Sequence, residues 1–212
     1  MIKVFIESIS KNIELKTGLY RIILENPNLY RNIAINIESE IVISYDNKTI
    51  PFEKAAVAIY DPFNIDLNDS KNIKILYKLL EREIHESYGD ELRNIEHLLF
   101  DMSEKLILSS NVNIDYEPQV DISKLLSCFG IKYVVYDEYL LNLIQFIRIQ
   151  HELFSKKIVL FFGLSTVLNE EEFEMFNEEL IKNEFKVLDI SFYPKNTKTD
   201  NSLIIDEDWC IL

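Results

Sequence analysis

Four oxygen-bearing side chains carry the clearest chemistry in this sequence: Asn113, Asp115, Glu117 and Asp121, all within the run NVNIDYEPQVD. Hard cations such as calcium take several oxygens at about 2.3–2.6 Å. In an extended segment, the alternating Asn113, Asp115 and Glu117 would point their oxygens to one side and form an edge for such a metal. The same residues also read as a solvated acidic loop in which Asp121 caps the following helix. Spacing alone leaves both readings open.

Other reactive patterns are missing. The turn Glu25-Asn-Pro-Asn-Leu-Tyr-Arg31 follows an expected strand and opens an expected helix, the place where nucleotide-binding folds wrap phosphate. It holds no glycine and no Gly-Lys-Ser/Thr, and neither GxGxxG nor Walker spacing occurs elsewhere. His85, His97 and His151 fall on expected helices without the HExxH spacing of a zinc site, so structural roles are expected for them. Ser165, in GLSTV, lacks the nucleophile-elbow pattern. Asp46-Asn-Lys48 could hold a metal at a strand edge, but turn composition explains it more simply. The glutamates Glu170 to Glu172, with Glu174, Glu178 and Glu179, suit a helix start and its solvent face. No catalytic residue is expected.

The elements that must position these residues follow from periodicity. Ile2 to Ile6, Leu19 to Leu24, Ile41 to Tyr45 and Ala55 to Tyr60 read as strands, with Asp46-Asn47 as a turn. Pro27 suits a first helical residue behind Asn26 as cap, and Leu29, Ile33 and Ile37 recur at helical spacing. From Asp69 the stripe Ile73, Leu76, Leu80, Ile84 and the stripe Leu92, Ile95, Leu99, Met102, Leu106 predict an antiparallel helix pair joined near Gly89. A short helix over Ile122 to Phe129, a strand over Lys132 to Val135 and a third long helix from about Asp137 to Phe154 come next. That last helix would show Leu140, Ile144, Ile147, His151 and Phe154 on one face. Lys157 to Phe162 has the near-continuous apolar run of a buried parallel strand, Asn169 with Glu172 marks a helix start, and Lys186 to Phe192 is a further strand. The expected fold is an α/β head built from residues 1–66 and 156–212, with a helical leg over 67–155.

Composition bounds the partners. The 22 Lys and Arg against 36 Asp and Glu leave a net charge of −14, which repels phosphate, so any nucleic-acid site must be local. Residues 1–66 carry −2, against −6 for each of the other two segments. No apolar run approaches the roughly 20 residues of a membrane helix, and no signal peptide is legible at the N-terminus, so a cytoplasmic protein without membrane contact is expected. Cys128 and Cys210 have no CxxC spacing and read as buried small hydrophobes.

Several segments, taken in order, resemble the small Csn-two family of type II-A CRISPR loci. They are Glu25-Asn-Pro with Leu29-Tyr-Arg31, Asp61-Pro-Phe-Asn-Ile-Asp-Leu-Asn68, Ile114-Asp-Tyr-Glu117, Lys124-Leu-Leu to Gly130-Ile-Lys132, Lys157 to Phe162 leading to Leu168-Asn-Glu-Glu171, and Ile204-Ile-Asp-Glu-Asp-Trp209. The resemblance implies a degenerate P-loop-like α/β head without NTPase activity, a helical leg, and a homotetrameric ring, stabilised by calcium, that encircles double-stranded DNA ends. It also implies action with the adaptation integrase and the RNA-guided effector nuclease in spacer acquisition, an antiviral defence. On that resemblance Asp115, Glu117 and Asp121, with Asn113, are expected at a structural calcium ion. Lys132, Lys54, Lys124 and Arg31 are the candidates for DNA contact. The alternative is an acidic adaptor that binds proteins of the adaptation complex without touching DNA.

Overall fold

The computed structural model describes residues 1–115, 120–192 and 202–211. The chain divides into two compact units: Met1–Leu67 with Val135–Leu212, and Asn68–Val134.

In the larger unit, β1 (Ile2–Ile6) alternates buried Ile2, Val4 and Ile6 with half-exposed positions, the signature of a one-sided strand. It pairs antiparallel with β2 (Lys11–Leu15) and with β4 (Ile41–Tyr45), and β5 (Lys48–Ile50) completes the order β2-β1-β4-β5. Asp46 and Asn47 make the two-residue turn between β4 and β5, both at positive φ, as a right-twisted hairpin prefers. The second sheet is parallel throughout, in the order β6-β7-β8-β3-β9, from β3 (Gly18–Leu24), β6 (Ala56–Ile59), β7 (Ile158–Phe162), β8 (Lys186–Phe192) and β9 (Ser202–Ile205). Helices cover it as parallel sheets require, and β7 is buried at every position.

Helix α1 (Pro27–Ile35) starts with proline at its first position, and α2 (Ile37–Glu40) and α3 (Phe52–Ala55) are single turns. One apolar cluster joins both sheets to α1. Val4, Ile6 and Ile43 share it with Ile22, Leu160 and Ile190 of the parallel sheet and with Leu29 and Ile33 of α1. Each such fully buried aliphatic side chain contributes about 2 kcal/mol. Helix α8 (Glu170–Lys182) begins in the expected capping box of Asn169 and Glu172. It lies so close to β3 that a Cβ on Gly18 would stand 2.7 Å from Asn177 Oδ1, the atom that accepts the Leu19 N–H. Gly18 also has φ of +102°, so glycine is needed there twice over.

The inserted unit consists of α4 (Ser70–Ser87), capped by Asp69, α5 (Gly89–Ser109) and α6 (Ile122–Cys128). Leu92, Ile122 and Leu126 form its small core, with Tyr77, Leu80, Ile84 and Ile131 packed around them.

Several expectations are corrected. The leg does not extend to 155: α7 (Tyr139–Arg148) belongs to the larger unit, burying Leu143, Ile144, Phe146 and Ile147 and packing on α8, where Arg148 Nη2 donates to Asn183 Oδ1 at 3.2 Å. After Arg148 the helix widens into a π-turn, Ile149–Leu153. The extra residue per turn rotates the face, so Ile149 and Gln150 are buried while His151 is half-exposed. Lys132 to Val135 is not a strand. The Asn68 side chain takes a strand's place there, accepting the Tyr133 N–H at 2.8 Å and donating to the Tyr133 carbonyl at 3.1 Å. Both cysteines are exposed: Cys128 ends α6 away from Ile122 and Leu126, and Cys210 sits in a turn beyond β9.

Candidate functional site

The strand-to-helix turn after β3 is closed to phosphate by its own side chain. Asn26 Oδ1 accepts the N–H groups of Asn28 at 2.9 Å and Leu29 at 3.1 Å, and Pro27 has no N–H to offer. The first helical donors, which would face an anion, are thereby satisfied or lacking. Asn26 Nδ2 donates in turn to the Glu207 carbonyl at 2.9 Å, which ties the turn to the chain beyond β9.

Beneath this edge lies a buried polar chain that the sequence reading did not single out. Asp189, in the middle of β8, is fully buried, and Arg21 of β3 lies beside it with Nε 3.6 Å from Asp189 Oδ2. The carboxylate also accepts the Leu164 N–H at 2.9 Å and the Ser191 hydroxyl at 2.6 Å, and Ser165 Oγ donates to Ser191 Oγ at 3.2 Å. The Arg21 guanidinium lies 4.4 Å over the Phe173 ring. Burial pushes the Asp189 carboxyl above its ordinary range, and the bonds from Ser191, Leu164 and Arg21 pull the other way. Having no solvent access, the group pins the turn after β7 to the sheet. A single acid or base inside an apolar run, as in GLYRIIL and KVLDISF, was the only sequence signal.

Of the four expected metal ligands, three lie within the described residues. Asn113 and Asp115 are exposed and outside regular structure, and Glu117 lies outside the described residues. Asp121 is the cap of α6: its Oδ1 accepts the Lys124 N–H at 2.9 Å and its Oδ2 stands 3.3 Å from Lys124 Nζ. The N–H and ammonium of Lys124 hold its carboxyl below the usual value. Among the described residues no three acidic, histidine or cysteine side chains group to hold a metal.

The four basic candidates are all exposed. Arg31 lies on α1 and Lys54 on α3 in the larger unit, while Lys124 on α6 and Lys132 lie in the inserted unit. Lys124 is already paired with Asp121.

A parallel five-stranded sheet flanked by helices, with an inserted helical unit, defines a mixed α/β protein. The family model of the CRISPR-associated protein (Cas_Csn2) matches residues 35–209, and the chain belongs to that family. It is thus a CRISPR-associated protein of antiviral defence. No curated protein matches the sequence. Similar solved structures include a Pyrococcus furiosus protein assigned as an ABC transporter ATP-binding protein, at 11% identity and TM-score 0.41 over 96% of both chains. The ATP-binding cassette MJ0796, in a dimeric post-hydrolysis state bound to ADP and Pi, gives 12% identity and TM-score 0.36 over 92% of this chain and 88% of that one. Among the described residues no helix is long and apolar enough to cross a membrane.

Proposed function

We propose that this protein is a non-enzymatic clamp in CRISPR spacer acquisition: a cytoplasmic homotetrameric ring that holds double-stranded DNA ends and is stabilised by calcium. The observation that supports assembly is the face of α5, where Ile95, Leu98, Leu99, Met102 and Leu106 are exposed at helical spacing. A second copy is the natural cover for such a face. Assembly also answers the charge problem, because a few exposed cations such as Lys132, Lys54 and Arg31 from each of four subunits can face one hole while the net charge stays acidic. Calcium enters this reading through the family resemblance, with Asp115, Glu117 and Asp121 as the residues to test. Work with the adaptation integrase and the RNA-guided effector nuclease enters the same way.

The test is size-exclusion chromatography with light scattering, with calcium and with chelator, with linear duplex DNA and with a closed circle. A calcium-dependent tetramer that shifts linear DNA alone, with affinity falling steeply with salt, is the expected result. A metal-indifferent species that ignores DNA would overturn the clamp in favour of an acidic protein-binding adaptor. The charge of −14 is what favours that second reading.

A further inference from the structure

At the C-terminal edge of the parallel sheet, where open α/β folds place their ligands, four rings form a continuous shelf. Tyr60, just past β6, stacks on Phe162 at the end of β7 with centroids 4.9 Å apart and planes 6° from parallel. Tyr30 of α1 meets Phe162 edge-on at 5.8 Å, and Phe192, the last residue of β8, lies 5.8 Å from Tyr30. Phe162 is buried, but Tyr60 is 53% exposed and Phe192 42% exposed, so the two ends of the shelf face outward.

Carboxylates outnumber cations around it: the cations nearest in sequence are Arg31, next to Tyr30, and Lys195 and Lys198, in the segment that follows Phe192. Residues 25–26, 60–66, 163–169 and 206–211, the described turns after β3, β6, β7 and β9, contain no lysine or arginine. They do contain Glu25, Asp61, Asp66, Asp206, Glu207 and Asp208. Glu38 is near enough to Tyr60 to push its hydroxyl further up, after burial. With α1's first N–H groups taken by Asn26, the turn after β3 offers an anion no helix N-terminal donor.

We propose that this shelf docks an arginine side chain from a basic segment of a partner protein. A guanidinium is planar and weakly hydrated, so it stacks on an aromatic face and pairs with carboxylates at the rim at the same time. The compact, strongly hydrated ammonium of lysine gains less from the ring. A DNA end is disfavoured here because its phosphates would meet the acidic turns.

The experiment uses the full chain without DNA or calcium, so its result is separate from that of the clamp test. A fluorescein-labelled peptide of three arginines spaced by glycines is titrated by anisotropy, alongside its lysine counterpart and a short blunt duplex. The arginine peptide binds about threefold tighter than the lysine one, Tyr60→Leu weakens it by about threefold and Tyr60→Phe retains it. Glu38→Gln weakens it measurably, while Glu104→Gln on α5, which removes the same charge from the other unit, has a smaller effect. Equal affinity for wild type and Tyr60→Leu, or equal losses from Glu38→Gln and Glu104→Gln, would show only attraction to a negative protein and overturn the proposal. Binding of the duplex that Tyr60→Leu abolishes would overturn it too.

Discussion

In the larger unit the strand Ile158–Phe162 is buried at all five positions, whereas in the inserted unit the 21-residue helix α5 buries one residue, Leu92. The larger unit closes its own core between two sheets and α1. The inserted unit has a small apolar cluster and leaves most of the α5 stripe open. The contrast teaches that the same kind of apolar residue can close a core in one unit and form an exposed helix face in the other.

The contrast can be broken hardest at Asp189. Asp189→Asn keeps an acceptor for the Leu164 N–H but takes the carboxylate charge from beside the buried Arg21, so denaturant unfolding should show a loss of about 3 kcal/mol. A loss within 1 kcal/mol would mean that the pair adds little to the larger unit. In the inserted unit the corresponding weak point is Asn68. Asn68→Ala removes both bonds to the Tyr133 backbone and should cost about 1–2 kcal/mol, with faster hydrogen exchange within residues 120–134 and little change on β7 or β8. Exchange that quickens equally in both units would erase the distinction drawn between them.

A smaller effect is expected at His151, whose ring lies 5.1 Å from that of Phe185. Burial, with Lys157 next, lowers its pKa below the ordinary 6.5. The folded state therefore favours the neutral ring, and the unfolded chain takes up the proton first. This contribution is fully present above pH 6.5 and declines as the pH falls through that value toward the lower folded pKa. Thermal unfolding should show a midpoint that drops between pH 7.5 and 5.5, and His151→Gln should flatten the slope; an unchanged slope would assign the pH dependence to other groups.

The buried parallel strands were legible because unbroken runs such as IVLFF have few other uses, and α1 and α8 because Asn26-Pro27 and Asn169 with Glu172 are local signals. Helical spacing located α5 but not the burial of its face. Leu92, Ile95, Leu99, Met102 and Leu106 mark an apolar face, but nothing in the spacing says whether the same chain covers it. Lys132 to Val135 carries strand-like residues yet finds the Asn68 amide rather than a neighbouring strand, a partner set by tertiary structure. At the candidate site, the capping role of Asp121 was legible as one of two readings. The Arg21–Asp189 chain and the aromatic shelf were not, since each joins residues from strands distant in sequence.

The order of the parallel sheet also constrains how the molecule comes into being. β3 lies between β8 and β9, with Gly18 opposite Lys186 and Arg21 opposite Ser202, so a strand made early waits for partners made last. As the chain leaves the ribosome, the apolar run from Leu19 to Leu24 lacks both neighbours until nearly all of the sequence has emerged, while Asn68–Val134 can close on short-range contacts. The nascent chain should thus pass through a stage with a formed insertion and an open sheet, exposed to chaperones and to misassembly with other unfinished copies.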